Sequence, residues 1–547
     1  MLIGPRLTAG HFAPRKAAAA PLPAAAAIDE TLPSITSLAL ELADATQEVR
    51  CPLGPQTDKP GLTRAVQAGA SMVSLAPVGP AAVALNAQQA EFRGGACPYL
   101  ASQGLTPESM SKFEFAAAVA RNFDNPVQVF EAVHDKGAVV QVELPLAGTL
   151  LFDARPESTQ QVLIATENNH GSSFEKSSLQ SHGLAKLFGR DNIFLNNGQD
   201  WKTTRQALEP YFSGNALHTD EKTASIAAVV DRHLDALDEQ LGVGGKVRVD
   251  LQARLEKLTL DVAMTHLFGA NLDGPALDEL NDAFAAVKRS VATETLLPGR
   301  VSRASLPGGK ELRQAYATLE GWADRLLAAR RQAGVGQRDA LDGLLSARDP
   351  QTDKPFSDQR LRHEVLTLML AGHETTASMI SWSLCELARD PRRQSEVRDE
   401  IAQTVGESVP DFKELKALRG VASAWRQSIT EHPPSYFIAR QALEDTRLGP
   451  AGQEVSVKKG TTVLLSTRHA NQSKKMFSFG GGGRLCLGQL MARMEAEMAI
   501  TRVLQRFELA ADGALSTASQ VSAHPADATV ELTRRSSHHL GSWRLAS

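Results

Sequence analysis

The chain has 547 residues, 42% of them hydrophobic, and a net charge of −4 at neutral pH. That composition supports a large core and argues against the basic surface of a nucleic-acid partner. The four cysteines, Cys51, Cys97, Cys385 and Cys486, include no Cys-x-x-Cys pair, so neither a zinc site nor a disulfide framework is suggested, and a reducing, cytoplasmic setting fits. No apolar run is long enough to predict a transmembrane segment.

Residues 1–105 are rich in Ala, Pro and Gly and read as a disordered N-terminal extension to one domain spanning 106–547. Met1 to Ile28 carries Arg6, Arg15 and Lys16 and no acid, a faint import-signal pattern that Pro21 and Pro23 interrupt. One helix is expected at Leu38 to Val49. Cys51-Pro52 and Cys97-Pro98 are Cys-Pro pairs of a kind proposed to bind regulatory haem, and inert thiols are the simpler reading. The hexapeptide Pro55 to Pro60 recurs as Pro350 to Pro355, and no physical reason for the repeat is evident.

From Phe113 the periodicity becomes helical, with few strands. One helix is expected over Phe113 to Lys136, then a strand pair at Ala138 to Leu144 and Thr149 to Phe152. A turn from Leu195 leads into a helix that places Trp201 and Arg205 on one face. Further helices are expected at Leu255 to Phe268, Ala276 to Ala292, Lys310 to Ala333, Asp339 to Arg348 and Pro391 to Thr404. Leu361 to Arg389 is long and mostly apolar, which predicts a central helix. Gln453 to Ser466 reads as a short sheet segment. The fold class is therefore mainly α with small β-sheets.

The chemistry concentrates in Phe479-Gly-Gly-Gly-Gly-Arg-Leu-Cys-Leu-Gly488, a glycine loop that feeds an apolar, helix-favouring run. Glycines let backbone N–H groups approach the Cys486 sulfur, and a helix N-terminus favours thiolate. A phosphate cradle is excluded, because Gln489-Leu490 stands where Lys and Ser or Thr are needed. A buried, inert cysteine and a thiolate metal ligand remain. Phe479, Gly480, Gly482, Arg484, Cys486 and Gly488 together resemble the haem-binding signature of the cytochrome P450 family, with Cys486 as the iron ligand.

Two further stretches carry the resemblance, which covers about 110 to 510. Ala371-Gly-His-Glu-Thr-Thr-Ala377 is similar to the family's oxygen-binding helix motif. Gly372 there would let a ligand approach the helix backbone, and Glu374 beside Thr375 pairs an acid with an alcohol for proton delivery. A zinc-protease reading fails, because Ala377 replaces the second His. Trp201 and Arg205 match the family's Trp-x-x-x-Arg pattern, and Arg440 and Arg484 stand where it places further arginines. The resemblance implies that these hold haem propionates, as forked guanidinium donors suit carboxylates. It also implies haem b (iron protoporphyrin IX), an oxidoreductase of the monooxygenase class, and a small apolar substrate bordered by Phe174, Phe188 and Ala276 to Leu297. No flavin or ferredoxin module follows Ser547, so electrons from NAD(P)H are expected through an external reductase or ferredoxin. A monomer is expected.

The match breaks in two places. Where the family has Glu-x-x-Arg, this chain has Gln427-Ser428-Ile429-Thr430, and the loop before Phe477 is shortened. A whole ion-pair network is absent together, which strands no charge but leaves a gap. A peroxide-driven haem enzyme or a non-catalytic relative are the alternatives this opens.

Overall fold

The computed structural model describes residues 6–7 and 105–535, except 146–147, 168–171, 178–182, 187, 242–244, 297–308, 337 and 474. Apart from Arg6–Leu7, which pairs parallel with Asn271–Leu272, the expected extension lies outside the described residues. So do the helix at Leu38 to Val49, Cys51, Cys97 and the first copy of the repeat.

The described chain opens with β1 (Glu108–Met110), α1 (Lys112–Arg121) and α2 (Pro126–His134). The single helix expected over Phe113 to Lys136 is thus two. Ser111 and Glu114 form a capping box at the first start, and Pro126 begins the second at a position where its missing N–H costs nothing. The strand pair is as expected: β2 (Val139–Leu144) runs antiparallel to β3 (Gly148–Asp153). Next come α3 (Pro156–Ile164), β4 (Phe174–Lys176) and α4 (Gly198–Leu208).

The helical body follows as α5 (Asp220–Leu241), β5 (Lys246–Asp250), α6 (Leu251–Phe268), α7 (Gly274–Leu296), α8 (Lys310–Ala333), α9 (Ala340–Ser346) and α10 (Asp358–Arg389). Beyond it lie α11 (Pro391–Thr404), α12 (Arg419–Glu431), β6 (Phe437–Ala442), β7 (Thr462–Ser466), α13 (Gln489–Arg506), β8 (Phe507–Ala510), the hairpin β9 (Thr517–Ser519) and β10 (Ala523–Pro525), and β11 (Thr529–Arg534).

The helix α10 is central. It is apolar on most of its circumference and packs on α6, α8, α12, α13 and the β10 strand. One large apolar core surrounds it, including Trp322, Phe284, Met264 and Ile500. The β1–β2–β3–β7–β6–β4 sheet flanks this body, and two smaller apolar clusters pack on its faces. A three-stranded antiparallel sheet, β8–β11–β5, ties the C-terminal strand to the start of α6. No helix among the described residues is long and apolar enough to cross a membrane.

Candidate active site

The glycine loop seats against α3. Gly482 has φ +61°, and a Cβ there would lie 2.1 Å from the Leu163 carbonyl oxygen; one at Gly483 would lie 2.4 Å from that of Glu167. These glycines therefore serve contact with α3 and Glu167. The N–H groups that reach the Cys486 sulfur belong instead to Gly488, which caps α13, and Gln489. The Cys486 N–H donates to the Phe479 carbonyl at 2.9 Å and closes the loop. Cys486 keeps accessible surface although the surrounding chain desolvates its sulfur. Burial pushes the thiol pKa up, while the Gly488 and Gln489 N–H groups and Arg205 pull it down. Burial wins, against the expectation from loop and dipole alone.

Four cations gather beside this loop. Trp201, buried on α4, carries the Arg484 guanidinium 4.3 Å above its ring. Arg205, one turn on, donates to the Leu485 carbonyl at 2.7 Å. Arg484 reaches Glu167 at 2.9 Å and Asn197 Oδ1 at 3.1 Å. Arg440 on β6 is 3% exposed and bonds to the Ala439 carbonyl. Its register partner on β4 is Lys176, whose Nζ lies 4.0 Å from the Phe194 ring centroid. Desolvation brings Arg440 down to about 9 and Arg484 to about 10; in each case a neighbouring arginine adds to the fall. Lys176 is driven well below the usual lysine range by burial, then by Arg440 and Arg484. The Nε atoms of Arg440 and Arg484 are buried without a partner. Sequence reasoning found three of these cations and missed Lys176: the Phe-Glu-Lys strand is too short for a pattern, and only its pairing with β6 reveals the lysine.

Across Phe194 lies a cavity of about 380 Å³. Its wall is mainly aromatic and aliphatic, with Phe115, Phe130, Phe152, Phe188, Leu370 and Leu464 among its members. Ala371, Glu374 and Thr375 of α10 line it too, whereas the Cys486 loop and the cations form the neighbouring group. Val291 of α7 and Phe188 border the cavity as expected; Phe174 does not, and is buried in the cluster beneath the sheet.

The helix α10 runs unbroken through the Gly-His-Glu-Thr-Thr stretch. A Cβ on Gly372 would meet Ala263 and Leu267 of α6 at 3.4 and 3.6 Å. The glycine thus faces a packed helix, and the expected ligand approach at its backbone is not what it provides. Thr375 Oγ donates to the Ala371 carbonyl at 2.8 Å. Glu374 Oε1 accepts from both the N–H and the hydroxyl of Ser522, at 2.9 and 2.8 Å, and its Oε2 is buried without a partner. Ser522 was not legible in the sequence, since it lies far along the chain in a polar hairpin without motif.

The Gln427 to Thr430 stretch falls on α12. Gln427 Nε2 donates to Glu431 Oε1 at 3.0 Å, and Thr430 Oγ to the Arg426 carbonyl. An open cleft of about 320 Å³ separates this stretch from Ser473, Lys475 and Met476, at the position of the expected gap.

The profile of the family described as Cytochrome P450 matches residues 113–478 and 465–519. Among similar proteins is the cyclooctat-9-en-7-ol 5-monooxygenase of Streptomyces melanosporofaciens. It is 25% identical over 74% of this chain and 89% of its own length. A cytokinin hydroxylase of Arabidopsis thaliana is 26% identical over 61% of this chain and 69% of its own length. A bifunctional cytochrome P450/NADPH–P450 reductase of Bacillus subtilis is 23% identical over 60% of this chain and 33% of its own length. With a profile match across most of its length, on a mostly helical fold with a cysteine loop beside a cluster of cations, the chain belongs to the cytochrome P450 family of haem-thiolate monooxygenases.

Proposed function

We propose that the chain holds haem b through Cys486 and inserts one oxygen atom into an apolar organic substrate, with electrons from NAD(P)H delivered by a separate reductase or ferredoxin. The observation that carries this reading is the cation group. Arg440 and Arg484 are balanced by one buried carboxylate, Glu167, and Arg205 by the exposed Glu209 at 3.7 Å, while Lys176 is pressed by both of the first two arginines and two guanidinium Nε atoms are unpartnered. Buried cations in such excess require anions. The two propionates of a porphyrin satisfy that need, and a thiol flanked by two N–H donors satisfies iron. Haem, when bound, supplies the oxidising chemistry.

The residues of this chain have three tasks. Lys176, Trp201, Arg205, Arg440 and Arg484 hold the carboxylates, while Phe479, Gly482 and Gly488 shape the loop that presents Cys486. The aromatic cavity orients an apolar substrate against α10 and keeps water out. Glu374 and Thr375 hand protons into the cavity, Thr375 through its hydroxyl and Glu374 through the carboxyl oxygen that has no partner. The apolar lining supports the substrate class, and one relative is named for acting on cyclooctat-9-en-7-ol. The Bacillus relative joins a cytochrome P450 to a reductase by name, which supports a reductase as the electron source. Cytoplasmic location, which the unpaired thiols of Cys385 and Cys486 support, and a monomeric enzyme complete the proposal.

The test is a difference spectrum of reduced, carbon-monoxide-bound protein. A thiolate-type Soret band in wild type that is lost in Cys486→Ala supports the assignment. The same band in both proteins, or none in wild type at full haem loading, rejects it.

A further inference from the structure

The β9–β10 hairpin joins the cavity wall to Glu374. At its tip Gln520, Val521 and Ser522 line the cavity. Both donors of Ser522 converge on Glu374 Oε1. One helical turn on, Ser378 Oγ donates to the Ala523 carbonyl, so two consecutive hairpin residues are fastened to the same face of α10. The Ala523 N–H donates to the Pro434 carbonyl at 2.9 Å. The other end of the hairpin grips α2. Asn125 Nδ2 donates to the Thr517 carbonyl at 2.7 Å, and Ser519 Oγ donates to Asn125 Oδ1 at 2.8 Å while accepting the Val127 N–H at 3.1 Å. Phe123, Pro126 and Phe130, at the end of α1 and along α2, also line the cavity. Thr375 spends its hydroxyl on Ala371, so nothing on α10 itself orients the Glu374 carboxylate.

We infer that Ser522 is a positioning residue for proton delivery: it fixes the Glu374 carboxylate from the hairpin, so substrate seated against α2 and the hairpin tip sets where that carboxylate stands. The inference rests on the role proposed for Glu374. Its physics is that of an anion held by two donors on one oxygen, which leaves the other oxygen to exchange a proton. Removing the hydroxyl donor keeps the N–H donor, so the carboxylate stays but its orientation loosens.

The experiment compares Ser522→Ala, Ser522→Thr and Glu374→Gln in the haem-loaded full chain with its reductase. It reads product formed per oxygen consumed, and peroxide released. Ser522→Ala is expected to lower that ratio roughly tenfold, the worth of one charge-assisted hydrogen bond, with oxygen uptake maintained and more peroxide. Ser522→Thr, which restores the donor, keeps the ratio near wild type. A ratio unchanged in Ser522→Ala but lowered in Glu374→Gln overturns the inference. A second readout does not need turnover. Amide hydrogen exchange at Ser522 in the full chain is expected to accelerate at least roughly tenfold in Glu374→Ala, which removes its acceptor. Unchanged exchange overturns the anchor outright. If wild type shows no thiolate-type band, the functional reading fails on that spectrum, and the exchange comparison decides the anchor by itself.

Discussion

Replacing Lys176 by Met is the sharpest probe of the cation group, because it moves two quantities in opposite directions. Lys176 and Arg440 are register partners on adjacent strands, so two like charges leave neighbouring backbone positions. At an effective dielectric of 20 and a separation on the order of 6 Å, a like-charge pair costs about 3 kcal/mol before screening. Arg440 and Arg484 both press on the lysine, and desolvation adds to the burden. Met keeps the apolar stem over Phe194 and forfeits a cation–π contact worth about 1 kcal/mol. The haem-free protein is therefore expected to gain about 1–2 kcal/mol in stability. Haem binding is expected to weaken, because a charge-assisted hydrogen bond to a propionate is worth about 1.5–3 kcal/mol, or roughly a 10- to 100-fold rise in Kd. The assay is a Soret-monitored haem titration of apoprotein, paired with urea unfolding of the haem-free variant. If Lys176→Met leaves the haem Kd unchanged, or lowers the stability of the apoprotein, the argument that these cations await an anion is refuted.

Three further outcomes test other parts of the fold. Gly482→Ala places a Cβ 2.1 Å from the Leu163 carbonyl oxygen at φ +61°. It is expected to cost about 2–4 kcal/mol and to lower haem occupancy, while Ala at Gly513, at φ +78° in open space, costs less. Glu364, buried on α10, accepts the Ile193 N–H and the Thr204 hydroxyl, and burial raises its pKa to about 7 from 4.5. Between those values the native state holds a proton that the unfolded chain has released. Stability is therefore lost as pH rises through that window, by at most about 3 kcal/mol. Glu364→Gln should flatten this part of the stability–pH curve, and parallel curves for the two proteins would reject the assignment. Arg330 pairs with Asp339 at 2.6 Å and Asp342 at 2.5 Å, all three buried. Asp342→Ala is expected to cost about 1–3 kcal/mol in urea unfolding, because the N–H groups of Gly336 and Arg338 lose their acceptor while Arg330 stays paired with Asp339.

Much of the architecture is legible in periodicity. The central helix is expected from Leu361 to Arg389 and runs from Asp358 to Arg389, because its apolar run is long and ends at Asp390-Pro391. Lys310–Ala333 and Pro391–Thr404 coincide with their expected bounds. The break between α1 and α2 was missed although Pro126 announces it, because the apolar spacing continues on both sides. Strands β4, β9 and β10 have three residues each, too few to alternate legibly, and they form only because neighbours complete their hydrogen bonds.

The amino-acid sequence alone announced the local chemistry: a thiol on a glycine loop before a helix, an acid and an alcohol on an apolar helix, and an indole and a guanidinium one turn apart on another. These signals are local, since each rests on residues within one or two turns. Tertiary structure alone decided how the groups are partnered. Only pairing between distant strands places Lys176 against Arg440, and only packing of a C-terminal hairpin on α10 gives Glu374 its Ser522 donors. Spacing along a chain records which side chains share an element; burial, charge repulsion and orphaned donors arise from contacts between elements and become visible once those elements are packed.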